Sequence, residues 1–330
     1  MGVVRDLFIG LSENEILNDA SKKMGLRFGA QKVVGGTGVD DTLVRFADLN
    51  NQGMSVTFDN LGEFISDRKE AEKEKNNIIK MIKAVNEKDL TVHASVKLSQ
   101  IGLNIDETFC YENIKEILDA AKEANMFVNL DMENYLSKGP SLTILDKLLE
   151  EYDNVGTVIQ AYFYDAKKDV RKYKDIRTRL VKGAYKEPAT IAYQGKADID
   201  QSYFEIIKTH LVEGNGFTSI ATHDHNIIEK TIRFIETMGI SKDEFEFQML
   251  YGFRKDYQQD LVARGYNMCV YVPYGTDWYA YFMRRLAERP QNLNLVVKSF
   301  TSNDKVKYGA IAAAAVAGVA LLAKAFKTKK

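Results

Sequence analysis

Side chains able to do acid–base or ion-pairing chemistry stand where short apolar segments of the chain end. Seven segments end this way, with Lys97, Asp131, Gln160, Arg179 and Lys182 together, Thr222 and His223 together, Gln248 and Leu250 together, and Tyr271. If the segments are parallel strands of one barrel, their carboxyl ends meet at the face where barrel enzymes build their sites. The pattern therefore favours a convergent catalytic site, and a ring of structural ion pairs at the barrel mouth is the alternative.

A metal site is one possible use of this cluster. His223 and His225 are two residues apart, and in an extended segment alternation points both rings to one face. Such a pair holds a catalytic metal in barrel hydrolases. The two remaining histidines, His93 and His210, do not stand at a segment's end, so this site is short of ligands. A metal-dependent barrel hydrolase is accordingly the alternative hypothesis.

Two adjacent arginines follow the last segment, in a stretch rich in aromatic residues. Arg284 and Glu288 are four residues apart and share a helical face. Arg284 and Arg285 are either solvated surface charges or a clamp for a carboxylate. The clamp is chemically reasonable because guanidinium forks match carboxylate oxygens. The aromatic surroundings favour the clamp, and with it a carboxylate-bearing ligand.

The elements that must position these residues alternate along the chain. Apolar segments rich in Val, Ile and Phe are separated by longer stretches with helical spacing. The eight strand candidates are residues 54–58, 91–98, 127–131, 155–161, 178–183, 218–222, 245–250 and 268–272. Eight β–α units predict an α/β fold of the (βα)8 TIM-barrel class. An open doubly wound sheet competes, but the glycine-rich stretch at residues 35–38 lacks the G-x-G-x-x-G spacing.

Composition narrows the class of protein further. The chain has 330 residues, with 45 basic and 46 acidic side chains and a formal net charge of −1, so no nucleic-acid footprint is expected. Two cysteines are too few for a disulfide scaffold and fit a reducing compartment. Arg5 and Asp6 interrupt the first apolar stretch, which argues against a secretory signal. A cytoplasmic protein is expected.

The last part of the chain is unusually apolar. Residues 308–323 carry no charge and are flanked by lysines on both sides. A helix of this length reaches about 24 Å, less than the roughly 30 Å of a hydrocarbon core, which argues against a full span. It either lies on an anionic membrane surface or packs on its own domain. We expect a helical segment at 1–30, a barrel domain at 31–304 and a tail with possible membrane association at 305–330.

Several motifs, taken together and in order, resemble the flavin-dependent proline dehydrogenases. They are residues 95–99 (SVKLS), 129–131 (NLD), 159–162 (IQAY), 179–185 (RLVKGAY), 221–224 (ATHD), 245–252 (FEFQMLYG), 271–276 (YVPYGT) and 281–288 (YFMRRLAE). The resemblance implies a distorted (βα)8 barrel that holds FAD non-covalently. It also implies the monofunctional form of the enzyme, which oxidises L-proline to 1-pyrroline-5-carboxylate and passes the electrons to a membrane quinone.

The resemblance also implies roles for individual residues. Asp131 and Arg179 would be catalytic. The substrate would be bound by Lys97, Arg284, Arg285, Tyr271, Leu250, Tyr281 and Glu288. The FAD would lie along Met132, Gln160, Arg179, Val181, Lys182, Gly183, Ala184, Thr222 and His223.

Two positions refine this expectation. Tyr271 is similar to the residue that the proline-preferring members of the family have at this position. Proline is therefore expected to be the preferred substrate, because the phenol fills the space that the ring hydroxyl of hydroxyproline would need. Lys186 departs from the fused bifunctional members, which have a tryptophan stacked on the adenine at that position. The adenine is therefore expected to be held differently in this chain.

Overall fold

The computed structural model describes residues 10–12, 17–18, 21, 26, 30–62 and 65–288, except the side chains of residues 287 and 288. Most of the expected segment 1–30 and all of the tail 305–330 lie outside these residues, so the domain boundaries at 30 and 304 stay predictions. No helix among the described residues is long and apolar enough to cross a bilayer.

Eight parallel strands close into a barrel in which each strand pairs with its neighbours in sequence and β1 pairs with β8. This confirms the predicted fold class. The strands are Ser55–Asn60 (β1), Val92–Lys97 (β2), Val128–Asp131 (β3), Val155–Gln160 (β4), Thr178–Val181 (β5), Thr218–Ala221 (β6), Phe245–Leu250 (β7) and Met268–Tyr274 (β8).

Each strand is followed by a helix. In chain order the helices are Val39–Asn50 (α1), Arg68–Asn86 (α2), Glu107–Glu123 (α3), Tyr135–Leu148 (α4), Ala166–Lys172 (α5), Lys196–Glu213 (α6), His225–Met238 (α7), Lys255–Ala263 (α8) and Trp278–Glu288 (α9). Helix α1 precedes β1, so the alternation is that of eight β–α units.

Helix α2 shows how sequence determines these elements. The Asp67 side chain accepts a hydrogen bond from the Glu70 N–H and so satisfies a backbone donor that the first turn leaves open. Ile78, Met81 and Ile82 are fully buried, while Lys80 and Lys83 beside them face solvent. Burying each such side chain contributes about 1.5–3 kcal/mol, so this face holds the helix on the barrel.

The middle of the barrel is polar, whereas TIM barrels are commonly filled by layers of Val, Ile and Leu. Arg179 of β5 donates hydrogen bonds to Thr57 of β1, Ser95 of β2, Asp131 of β3 and Gln248 of β7. Four strands can reach one guanidinium only if all these side chains point to the barrel axis. The interior is therefore built for charge, at a cost in desolvation that a purely structural core would not carry.

The chain divides into two compact units. Residues 38–274 form one, which contains the whole barrel. The other includes helix α9 and the short 3-10 turn Ala30–Lys32, which contact each other.

Candidate active site

Arg179 is the centre of the polar cluster in the barrel. Its Nε donates to Gln248 Oε1 at 2.7 Å, one terminal nitrogen donates to Ser95 and Asp131 at 2.7 Å each, and the other donates to Thr57 at 3.1 Å. The residue is only 4% exposed. Four acceptors on four strands fix the guanidinium in one orientation, as a group that stabilises developing charge requires.

Asp131, at the end of β3, is the main counter-charge of Arg179. Its Oδ1 accepts from Arg179 and, at 2.6 Å, from the Ser95 hydroxyl, while Oδ2 accepts from the Tyr271 hydroxyl at 2.8 Å. Burial raises the pKa of Asp131, but Arg179, Lys97 and the two hydroxyl donors outweigh it and bring the pKa below its ordinary value. Asp131 is therefore a carboxylate at neutral pH.

Lys97, at the end of β2, has a nearer partner than the sequence suggested. Its Nζ lies 2.7 Å from Asp59 Oδ1 and 3.5 Å from Asp131 Oδ2. Asp59 is 2% exposed and lies in β1. Sequence reasoning missed Asp59 because the first strand was expected to stop at Phe58, two residues before its observed end at Asn60. Applying the same strand-end criterion to the full strand would have included Asp59.

Tyr271 completes the cluster from β8. Its hydroxyl donates to Asp131 and accepts from Lys97 at 3.3 Å, and the Arg179 guanidinium lies 5.1 Å from the centre of its ring. Burial, followed by the charges of Asp131 and Asp59, raises the pKa of Tyr271 well above its ordinary value. The phenol therefore stays protonated and acts as a hydrogen-bond donor to Asp131.

The predicted cofactor residues lie at the carboxyl ends of β3 to β6. Gln160 Nε2 donates to the Glu133 carbonyl at 2.7 Å, and Lys182 Nζ contacts Asp200 at 2.5 Å and Asp224 at 2.8 Å. Met132 is buried, Ala184 is exposed, and four others are half-buried: Val181, Gly183, Thr222 and His223. A cofactor phosphate near Lys182 would have to compete with two carboxylates, which sequence reasoning did not foresee.

Gly183 lies just beyond β5 with φ of +115°, a backbone conformation that side chains with a Cβ rarely adopt. A Cβ at this position would lie 2.3 Å from Cδ1 of the Tyr162 ring. The glycine is required here by both its backbone angle and its neighbour.

We expect Gly183→Ala to lower the free energy of unfolding by about 1–3 kcal/mol from backbone strain, with a similar penalty from the clash. Gly239→Ala is the matched control, because Gly239 also has a positive φ of +68° but nothing lies within 4 Å of its Cβ position. Urea unfolding of both variants measures the difference. Equal losses would show that the contact with Tyr162 is of no consequence.

The alternative metal site is not supported by the arrangement of the two histidines. His223 Nε2 accepts a hydrogen bond from the Leu250 N–H at 3.0 Å, and the His225 ring packs 4.7 Å from the Tyr257 ring. Among the described residues, the one group with metal-ligand spacing contains neither of them. Instead, His223 and Leu250 tie the ends of β6 and β7 together.

The remaining predicted substrate residues lie on helix α9, except Leu250, which is half-buried at the end of β7. Tyr281 is buried and Arg284 and Arg285 are half-buried, and the Arg285 guanidinium lies 5.2 Å from the centre of the Tyr281 ring. The Glu288 side chain lies outside the described residues. Tyr281 and the two arginines therefore form one cationic and aromatic face of the helix.

Comparison with known proteins adds an independent finding. A family model described as proline dehydrogenase matches residues 42–298. The chain is 41% identical to proline dehydrogenase 2 of Bacillus subtilis over 91% of its own length and 99% of that protein's. It is also 41% identical to the proline dehydrogenase of Deinococcus radiodurans, over 82% and 89% of the two chains.

Solved structures agree on the fold. Proline utilization A from Bdellovibrio bacteriovorus superposes with a TM-score of 0.75 at 24% identity, over 92% of this chain and 38% of that one. This structure was solved after inactivation by N-propargylglycine. At this identity the likeness concerns the architecture alone.

Proposed function

Because this chain belongs to the proline dehydrogenase family, we propose that it oxidises L-proline to 1-pyrroline-5-carboxylate at the polar cluster in its barrel. The observation that carries the proposal is the convergence of Lys97, Asp131, Arg179 and Tyr271 at the carboxyl ends of their strands, where barrel enzymes react. The buried charges there have a chemical use beyond holding the barrel together. The alternative hypothesis of a metal-dependent barrel hydrolase is abandoned.

The cofactor proposed is FAD, which supplies the hydride acceptor when bound. The donor set at the ends of β3 to β6 fits such a group. Lys182 offers a cation for which a diphosphate would compete with Asp200 and Asp224, Arg179 offers a fixed charge, and the positive φ of Gly183 lets the backbone approach a ligand closely. We propose that the predicted residues from Met132 to His223 hold it.

Loss of a hydride from C5 of proline and of a proton from its nitrogen gives the imine product. We propose that Arg284 and Arg285 bind the proline carboxylate, with Lys97 assisting and Tyr281 and Glu288 supporting the two arginines. Asp131 and Arg179 would set the electrostatics at the reacting carbon, and Leu250 and Tyr271 would wall the ring. Planar guanidinium forks suit a carboxylate because they donate two parallel hydrogen bonds.

Removal of the Lys97 charge tests this assignment. We expect Lys97→Met to lower kcat/KM for L-proline by about 10- to 100-fold, since a hydrogen bond to a charged group is worth about 1.5–3 kcal/mol. Dye-linked oxidation of proline, with identification of the imine product, is the measurement. Lys172→Met is the matched control, because Lys172 pairs with Asp146 on the surface. A wild-type rate in Lys97→Met would remove Lys97 from the site.

Tyr271 is expected to determine which ring is accepted. Replacing it with serine removes the phenol that would occupy the space of a ring hydroxyl. The ratio of kcat/KM for hydroxyproline to that for proline should therefore rise at least about tenfold, a change that one contact in a substrate pocket can produce. Tyr274→Phe, on the same strand, is the control. An unchanged ratio would mean that Tyr271 does not line the substrate pocket.

We propose further that a membrane quinone receives the electrons and that residues 305–330 bring the enzyme to the bilayer. The support is the uncharged stretch 308–323 with lysines at both ends, which suits an anionic surface. Deleting residues 305–330 should leave dye-linked activity intact and reduce sedimentation with anionic vesicles. Undiminished sedimentation of the truncated protein would contradict the role of the tail.

A further inference from the structure

A second set of charges lies deeper in the barrel than the proposed active site. Glu246 of β7 is 4% exposed, and its Oε1 accepts hydrogen bonds from Arg177, which directly precedes β5, at 2.7 Å and from the Ser219 hydroxyl of β6 at 2.7 Å. The Arg177 guanidinium is stacked between the rings of Phe127 and Phe217, at 4.8 Å and 4.6 Å. Glu246 is thus held rigidly, with a cation on one side.

Gln248 joins this set to the proposed active site. Its Nε2 donates to Glu246 Oε1 at 2.6 Å, and its Oε1 accepts from Arg179 Nε at 2.7 Å. A carboxylate only accepts and a guanidinium only donates, so both neighbours impose the same orientation on the amide. The side chain is 2% exposed, which keeps water from replacing either bond.

A metal ion is a poor explanation for this buried set. The ligand atoms of His93, Glu246 and Cys269 lie within 4.8 Å of one another. However, Arg177 already neutralises Glu246, and a divalent cation would add charge close to both Arg177 and Arg179. Burial lowers the pKa of His93 well below its ordinary value, and the positive charges of those two arginines lower it further.

We propose that Glu246 is a positioning residue for proline oxidation: it acts through the Gln248 amide to orient Arg179 and to moderate its positive charge. This inference rests on the proposed function, in which Arg179 acts beside the bound FAD. Hydrogen bonds in a chain polarise one another at low dielectric, so a carboxylate at one end makes Gln248 Oε1 a stronger acceptor at the other.

The sign of the effect follows from the charges. Converting Glu246 to glutamine removes a negative charge and leaves Arg179 less compensated. Reduction of the flavin adds negative charge nearby and is then favoured, so the midpoint potential rises. We expect the equilibrium constant for reduction to increase about tenfold in Glu246→Gln, which for a two-electron couple is about 30 mV.

A double-mutant cycle on the FAD-loaded protein separates action through Gln248 from simple attraction through space. The flavin potential is measured in wild type, Glu246→Gln, Gln248→Met and the double variant. The inference predicts that Glu246→Gln changes the constant about tenfold alone and less than about threefold when Gln248 is already methionine. Equal changes in both backgrounds, or no change in either, would overturn it.

Two further variants keep the test decisive. Ser219→Ala removes one hydrogen bond to Glu246 without removing a charge, so more of the carboxylate charge acts on Gln248 and the potential should shift in the opposite direction by a smaller amount. If Glu246→Gln does not fold, an unshifted potential in Ser219→Ala overturns the inference. Glu213→Gln, which removes an exposed carboxylate paired with Arg171, is the control and should leave the potential unchanged. A wild-type protein that binds no FAD, or is not reduced by proline, would instead refute the proposed function.

Discussion

Replacing Arg179 with methionine is expected to lower the free energy of unfolding by about 3–5 kcal/mol, the usual cost of breaking a buried ion pair from one side. Methionine is of similar length and cannot donate a hydrogen bond. It would leave the buried Asp131 carboxylate without its closest cation and Gln248 Oε1 without its donor. Urea unfolding of the FAD-free protein measures this loss directly.

The same substitution should reduce kcat for proline by about 10²–10³-fold, as removal of a preorganised stabilising donor does in other enzymes. Arg179→Lys separates charge from geometry, since lysine keeps the charge but loses the planar fork. It should recover part of the stability and less of the activity. Arg171→Met is the matched control, because that guanidinium makes two hydrogen bonds to Glu213 at 3.0 Å on an exposed surface. If Arg171→Met lowered the free energy of unfolding as much as Arg179→Met, burial of the Arg179–Asp131 pair would not explain the loss.

The second large effect concerns Asp131. Asp131→Asn keeps the shape of the side chain but removes one of the two carboxylates that contact Lys97 and gives Arg179 a neutral neighbour. We expect a loss of about 3–5 kcal/mol in the free energy of unfolding at pH 7. Lys97 and Arg179, both buried, would then lack the negative charge that Asp131 supplies to them.

The pH dependence of this loss has a definite sign. The folded-state pKa of Asp131 lies below its ordinary value, which is about 3.9 in an unfolded chain. Ionisation of Asp131 therefore contributes stability that is fully present above that unfolded value and is lost as the pH falls through the folded pKa. The difference between wild type and Asp131→Asn should stay constant from about pH 6 upward and shrink in acid. A difference that grew in acid would contradict the assigned charge.

Sequence reasoning located much of the site because the carboxyl ends of parallel strands share one face. Lys97, Asp131, Arg179 and Tyr271 were identified by that rule and do converge. The rule identifies which residues meet but not which pair most closely, because distances across a barrel depend on strand register and tilt. The pairing of Lys97 with Asp59 could not be obtained in that way.

Strand boundaries explain other differences. Strand β8 was expected to stop at Val272, yet it continues through Pro273 to Tyr274. Proline lacks only the N–H, and the next carbonyl, that of Tyr274, still accepts from the Leu61 N–H. Strand β5 ends at Val181, earlier than expected, shortly before the positive φ of Gly183. Glu246 was not singled out because the sequence criterion considered residues at the carboxyl ends of strands, and Glu246 lies near the start of β7.

The measurement that tests the central claim most directly is an anaerobic titration of the purified, FAD-loaded protein with L-proline. It follows the visible flavin absorption in wild type, in Arg179→Met and in the control Arg171→Met. We predict that the flavin band bleaches in wild type and in the control, that the imine product forms in equal amount, and that bleaching is slowed at least about 10²-fold in Arg179→Met. A wild-type flavin that stays oxidised in excess proline, or an equal rate of bleaching in Arg179→Met, would contradict proline oxidation at this cluster.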